Sequence, residues 1–580
     1  MSQFNSYISV DMMYKDLHPG LDQLRELVSQ LSCSDALFWC ARINLALSSN
    51  GNESVQMQLF DMLTSSKEKY WLKKISRKLS KERKPIIFFF RGQILELMRW
   101  IVLFCHDHPN DGVTFDIEEN RVIFFKCALI ASDLWSNQTY GSILDDEKDI
   151  SVAKEFARAP FRRALEAGKH APELFITFGR GWNFYKKYFS KHFPTFHDDF
   201  MRDTQMTFEE YMICFSAFAV SFMDPLVNRI VFDINTVGDT TLIPEQIDKF
   251  VKMESQSLDE LYGSLWNEKS DAEVTEITVG PLNTLSLRNK PIYSKPDGRS
   301  VILDPVFFHE RVLVSPIFQL IRLNSFNHNE IFSAFGNAFE DYCCDILKRM
   351  YSTTTRENNL IRQKEYLRRD GQTLLQIDAA ILREKTAVIL EMKSSFLRES
   401  EINLDGVSYA EELRMKYSST KKNGIEKVKG VGQLSRTIKH ILKKNNDVLA
   451  KDFNEIQEII PVLVGHDSLL DAPLTIELLR EEFQILIEQD IGQINREGLL
   501  NIYSLTILTI DDLEYLEDST QHFNIIDLLK DYSRSSTVDS LHNYIVGSKK
   551  YGYYANSHLV NTSSEILKKT RELLFNQTDY

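Results

Sequence analysis

Residues 374–393 read as two apolar runs separated by the polar turn Arg383-Glu384-Lys385-Thr386. Runs of this length around a short charged turn predict a β-hairpin. Three charged residues stand inside or at the ends of these runs: Asp378, Glu391 and Lys393. Side chains two apart on a strand share a face, so Glu391 and Lys393 point one way and Met392 the other. The hairpin brings Asp378 beside them. Charges in such a place are costly unless paired or bound to a metal. Two close carboxylates suit a hard divalent cation, Mg²⁺ or Mn²⁺, which leaves much of its shell to water and phosphate oxygens. A lysine there can orient or deprotonate water and stabilise phosphate charge. That set of parts suits phosphodiester hydrolysis.

The flanks add to it. The spacing predicts a helix over 330–349, with Phe332, Phe335, Phe339, Cys343 and Ile346 as its buried stripe. Gly336 and Glu340 lie four apart on a neighbouring face, and Glu340 can reach the carboxylates. Downstream, Lys429-Gly430-Val431-Gly432-Gln433-Leu434 leads into a helix over 432–444 that carries Arg436, Lys439, His440 and Lys443 at roughly helical spacing. The whole chain has a net charge of −14, yet residues 340–444 hold 21 Lys and Arg against 15 Asp and Glu. A basic segment in an acidic protein is a local footprint for a polyanion.

An acidic residue, a short hairpin and then Glu-x-Lys resembles the PD-(D/E)XK nuclease superfamily, the restriction-endonuclease-like fold. Asp378, Glu391 and Lys393 occupy the three motif positions, and the customary Pro before the Asp is Ile377. The resemblance implies an α/β fold, with a mixed-sheet core flanked by helices after a mainly helical N-terminal domain. It implies Mg²⁺ (or Mn²⁺) held by Asp378, Glu391, the Met392 carbonyl and Glu340. Gln433 matches the polar residue that many members carry beside the active site, orienting Lys393 or the phosphate. The Tyr four residues later in the exonuclease branch is Thr437 here. Lys429, Arg436, Lys439 and Lys443 are the expected phosphate contacts. DNA is the expected nucleic acid, and members with large helical extensions are often prokaryotic anti-phage defence or restriction effectors. Two alternatives stay open: a catalytically silent nuclease-like module for binding or assembly, and a DNA repair nickase.

The 580 residues divide by texture into a helical part over 1–280, a nuclease-like part over 281–533 with its core at 330–444, and a tail over 534–580. The acidic helical part is expected to dock a partner, form an oligomer or cover the site. Strands are expected at 274–279, at 291–293 and 301–303 around the turn Lys295-Pro296-Asp297-Gly298, at 459–464 and at 502–510. The stretch 396–429 reads as polar and charged. The apolar stretch 86–105 is interrupted by Arg91, Glu96 and Arg99, and the charge-free one at 211–223 has 13 residues. A membrane span needs about 20, so both read as core helices. Seven cysteines without a CxxC pair read as reduced buried thiols. Without a leader pattern, a cytoplasmic protein is expected, with no membrane partner. His106-Asp107-His108 and the segment from Asp233 to Asp239 read as loops, and Thr177-Phe178-Gly179-Arg180-Gly181 lacks the Lys-Ser/Thr of a phosphate loop. Tyr551, Tyr553 and Tyr554 read as structural.

Overall fold

The computed structural model describes residues 6–575 apart from 19, 51–52, 80–85, 106–116, 145–173, 222–231, 234–243, 267–284, 296–297, 324–327, 352–358, 368–370, 397–405, 423–424, 445–446, 492–499 and 536–538. The expected strand at 274–279, the His106–His108 triplet and most of the Asp233 segment lie outside the described residues. Two compact units emerge. One comprises 1–178, 198–323 and 563–580, and the other 179–197 and 324–562.

The first unit is mainly helical. Its helix Arg91–Cys105 is buried along almost its whole length, charged residues included. Arg91 donates from Nε and Nη2 to the two carboxylate oxygens of Asp304, both at 2.8 Å. Asp304 in turn accepts from the Phe307 N–H at 2.9 Å, at the start of the helix Pro305–Leu323. Such pairing is what lets a guanidinium sit inside an apolar core. Among the described residues, no helix is long and apolar enough to cross a membrane. All seven cysteines are free and buried. The expected hairpin forms from Ile292–Ser294 and Arg299–Ile302, antiparallel, in a sheet completed by Phe232–Asp233 and Ser255–Gln256. It belongs to this first unit, so the division of the chain falls after Leu323 and not at 280.

The second unit is built on a mixed sheet. Asn359–Leu367, Thr373–Arg383 and Thr386–Lys393 form an antiparallel meander. Glu458–Gly465 then pairs parallel with Thr386–Lys393 over the latter's whole length, and Asn501–Ile502 and Thr506–Thr509 pair parallel with Glu458–Gly465. The central strands are almost wholly buried, as β-branched and aliphatic runs between packed layers must be. The helices His328–Met350 and Gly430–Lys443 both pack on the Thr386–Lys393 strand. This is a mixed α/β core. The single strand expected over 502–510 is two short ones, with the helix Ile510–Ser519 starting at once behind a Thr509/Asp512 capping box. The stretch 396–429 is not merely polar: it contains the helix Gly406–Tyr417 and an antiparallel hairpin of Ser419–Lys422 and Ile425–Val428. The segment after 534 is partly helical, with helices Leu541–Gly547 and Ser557–Phe575, and Tyr551 donates to Asp531 at 2.6 Å and Tyr553 to Asp512 at 2.8 Å.

At the start of its strand, Glu458 accepts from Thr386 Oγ1 at 2.7 Å, from Tyr503 OH at 2.9 Å and from Lys530 Nζ. The Lys530 contact, helped by the two hydroxyls, holds its carboxyl down at about 2. The unfolded chain therefore binds this proton first, and the stabilisation present above the ordinary carboxylate range is lost as pH falls towards 2. Thermal unfolding between pH 5 and 2.5 should show this loss, and Glu458→Gln should flatten the profile. An unchanged profile in the variant would remove Glu458 as its source.

The start of the Gly430–Lys443 helix explains its two glycines. Gly430 has φ +46°, and a Cβ there would lie 2.5 Å from the Tyr417 carbonyl oxygen. A Cβ on Gly432 would lie 2.5 Å from the Ser418 carbonyl oxygen. Backbone meets backbone at both points. Gly430→Ala combines a left-handed residue with an overpacked contact and should cost roughly 2–4 kcal/mol in urea unfolding. A cost near zero would mean the helix start can shift freely.

Candidate active site

The site lies where the antiparallel ladder opens. Ala379 pairs with Leu390, and the next pair would be Asp378 with Glu391, but the ladder stops there. On its other side Asp378 faces Gln363, between the paired positions Arg362 with Ala379 and Lys364 with Ile377. Gln363 has φ +43°, a left-handed conformation uncommon for a residue with a side chain. With both ladders interrupted, Asp378 Oδ2 accepts the Met392 N–H at 2.8 Å in place of a backbone carbonyl. A strand that would otherwise bury only apolar groups thus presents a carboxylate.

Asp378 is 5% exposed and Glu391 3%. Lys393 Nζ stands 2.6 Å from Glu391 Oε1. The two form a buried ion pair. Burial pushes the Glu391 carboxyl up to about 8, with the Asp378 charge adding to it and Lys393 opposing. Asp378 is raised by burial against the pull of Lys393 and the Met392 N–H. Burial would strip the Lys393 proton, but Glu391 and Asp378 outweigh it and hold the ammonium above its usual value. Glu340, on the neighbouring helix, is pushed up to about 7 by burial and then by Asp378. The four predicted residues therefore act on one another at one end of the sheet. A Cβ on Gly336 would lie 3.2 Å from Ser394 Oγ, so the helix does run close to the strand there.

Other parts were not visible beforehand. Asp341, next to Glu340, accepts from Lys191 Nζ at 2.6 Å, His192 Nε2 at 2.8 Å and Gln363 Nε2 at 3.0 Å. These contacts, led by Lys191, outweigh burial and hold Asp341 below the usual carboxylate range, which keeps its charge beside Glu340. His192 is thus one of the groups that hold Asp341 in place. Phe332 is 37% exposed and does not belong to the buried stripe, unlike Phe335, Phe339, Cys343 and Ile346. Phe396 and His466 meet edge to face at 4.3 Å, with Phe335 against both. Phe396 stands three residues after Lys393 and His466 directly after Gly465, so this aromatic cluster lies at that sheet end.

Gln433 Oε1 accepts from the Gly430 N–H at 3.1 Å, so its carbonyl serves the first turn of its own helix. Lys429 is the N-cap residue of that helix. Arg436, Lys439 and Lys443 line one groove beside it.

Among the described residues, no three His, Cys, Asp or Glu side chains stand as a ready-made metal shell. The donor set nevertheless fits a hard cation. Three carboxylates face one ammonium, and two of them are pushed up to about 7 and 8. A divalent ion needs only one or two protein carboxylates and would relieve this excess of negative charge. Compared with protein-family models, curated proteins and solved structures, the chain has no significant match.

Proposed function

We propose that the second unit is a divalent-metal-dependent nuclease of the PD-(D/E)XK type, with DNA as its substrate. The observation that carries this reading is the convergence of Glu340, Asp378 and Glu391 around Lys393 at an opened sheet end. Structural ion pairs balance their charges, and this cluster does not.

Asp378 and Glu391 would hold the Mg²⁺ or Mn²⁺, with Glu340 and the Met392 carbonyl completing the protein's share. When bound, the ion supplies positive charge at the phosphate and acidifies water. Lys393 keeps its proton in the company of Glu391 and Asp378, so its role is that of a cationic hydrogen-bond donor to water or phosphate oxygen. The Met392 N–H fixes the Asp378 carboxylate in one orientation. Asp341, anchored by Lys191 and Gln363, keeps the neighbouring Glu340 in a negative field that favours a cation. The apolar wall of Phe335, Phe396 and His466 thins the water there and strengthens each of these interactions. A restriction or anti-phage role rests on the family resemblance alone.

The deciding test is incubation of the purified protein with supercoiled plasmid, linear duplex, single-stranded DNA and RNA, each with Mg²⁺, Mn²⁺ or EDTA. Metal-dependent cutting that disappears in Glu391→Gln supports the reading and names the substrate. Cutting that survives the substitution, or cutting in EDTA, would overturn it.

A further inference from the structure

A groove of about 450 Å³ runs beside the Gly430–Lys443 helix, wholly within the second unit. Ser418, Ser419, Gly432, Arg436, Lys439 and Lys443 line it, together with His440. Its lining among the described residues includes no carboxylate. Arg436 and Lys443 are exposed. The close approach of Gly432 to the Ser418 carbonyl and Val428 brings the ends of the Ser419–Val428 hairpin to the helix, and Leu486 and Gln489 of the helix Pro473–Ile491 form the opposite wall. At the helix's beginning stands Lys429. Burial, and then the charges of Lys427, Lys393 and Lys416, push its ammonium below the usual value, so it lies within electrostatic reach of the active-site lysine. Lys429 begins the same helix three residues before Gly432, so the basic row on this helix starts near the active-site lysine.

Length decides what kind of anion this suits. Lys429 and Lys443 are 14 positions apart, about 21 Å along a helix. One phosphate touches one or two cations of such a row. A backbone, with a charge roughly every 3.4 Å of duplex axis on each strand, meets all of it.

We propose that this groove tracks the phosphate backbone of the nucleic-acid strand whose scissile phosphate lies at the carboxylate cluster, so that the substrate must be a polymer extending about six nucleotides to one side of the cut. The proposal rests on the nuclease reading for the position of the cut, but its own content is a binding property. Backbone contacts carry no sequence information, so this part of the interface is indifferent to sequence.

The test is direct binding in EDTA, by fluorescence anisotropy of labelled oligonucleotides of four and of twenty nucleotides, single-stranded and duplex. The full-length protein is compared with Arg436→Ala/Lys443→Ala, whose exposed positions leave the melting temperature in place. The expected result is about tenfold or more weaker binding of the twenty-nucleotide probes. The slope of log affinity against log salt should fall by about 1.4–1.8, the share of two phosphate contacts. The four-nucleotide probes should bind both proteins alike. Equal losses for short and long probes would overturn the tracking role in favour of a single-phosphate site. Undiminished binding of the long probes would overturn the groove altogether. If the length-dependent loss appears while the wild-type protein cuts nothing under any metal condition, the groove stands and the nuclease reading falls. If cutting is metal-dependent while the variant binds long probes normally, the reverse holds.

Discussion

Asp378→Asn, Glu391→Gln and Lys393→Met should each leave the second unit folded and each lower metal-dependent cleavage by roughly 10²–10⁴-fold. The fold should survive because the substitutions keep shape and, for Asp378→Asn, an oxygen that can still accept the Met392 N–H. Lys393→Met removes the ammonium that opposes burial at Glu391. The carboxylates then take up protons, which limits the structural damage while removing the donor that meets the phosphate. Losses in the three variants should be far from additive, since each breaks the same assembly. The measurement is cleavage rate at saturating Mg²⁺ beside a melting curve for each protein. A folded Lys393→Met protein that cuts within about tenfold of wild type would remove the lysine from the chemistry.

Arg180→Met should destabilise the second unit by roughly 3–5 kcal/mol, a large part of the stability of an ordinary domain. Arg180 is buried. It donates to Glu514 from Nε at 2.8 Å and from Nη2 at 2.6 Å, and also reaches Asp511. Glu514 is fully buried and has Tyr342 OH as a further donor at 2.6 Å. Without the guanidinium, a carboxylate already pushed up to about 7 by burial must be protonated or remain an uncompensated charge. The variant's stability should therefore decline as pH rises through 7 and above. The double variant Arg180→Met/Glu514→Gln should recover part of the loss, because the stranded charge is gone. Urea unfolding at pH 6 and pH 8 checks both statements. A single-variant cost under about 1 kcal/mol would show that the pair is dispensable. Tyr342 lies two residues from Glu340 on the same helix, so this cluster also steadies the helix that brings Glu340 to the active site.

The sequence by itself determined the elements that carry the site. The hairpin with Asp378, Glu391 and Lys393 was legible because strand periodicity and a charged turn are local signals, and the structure places Thr373–Arg383 against Thr386–Lys393 as expected. The helices with Glu340 and Gln433 were legible for the same reason. The basic hairpin after residue 418 was not, since its lysines read equally well as a solvated stretch. Arg180 stood in a segment that failed as a phosphate loop and offered no other signal.

Only the tertiary structure decided which buried charges face which. Lys191 meets Asp341 across 150 residues and Arg180 meets Glu514 across 334. Nor could spacing reveal that both ladders break at Asp378, with Gln363 left-handed opposite it. The physical reason is one of range. Backbone periodicity is set by neighbours a few positions away, whereas the cost of an unpaired buried charge is settled only when distant parts of the chain pack together.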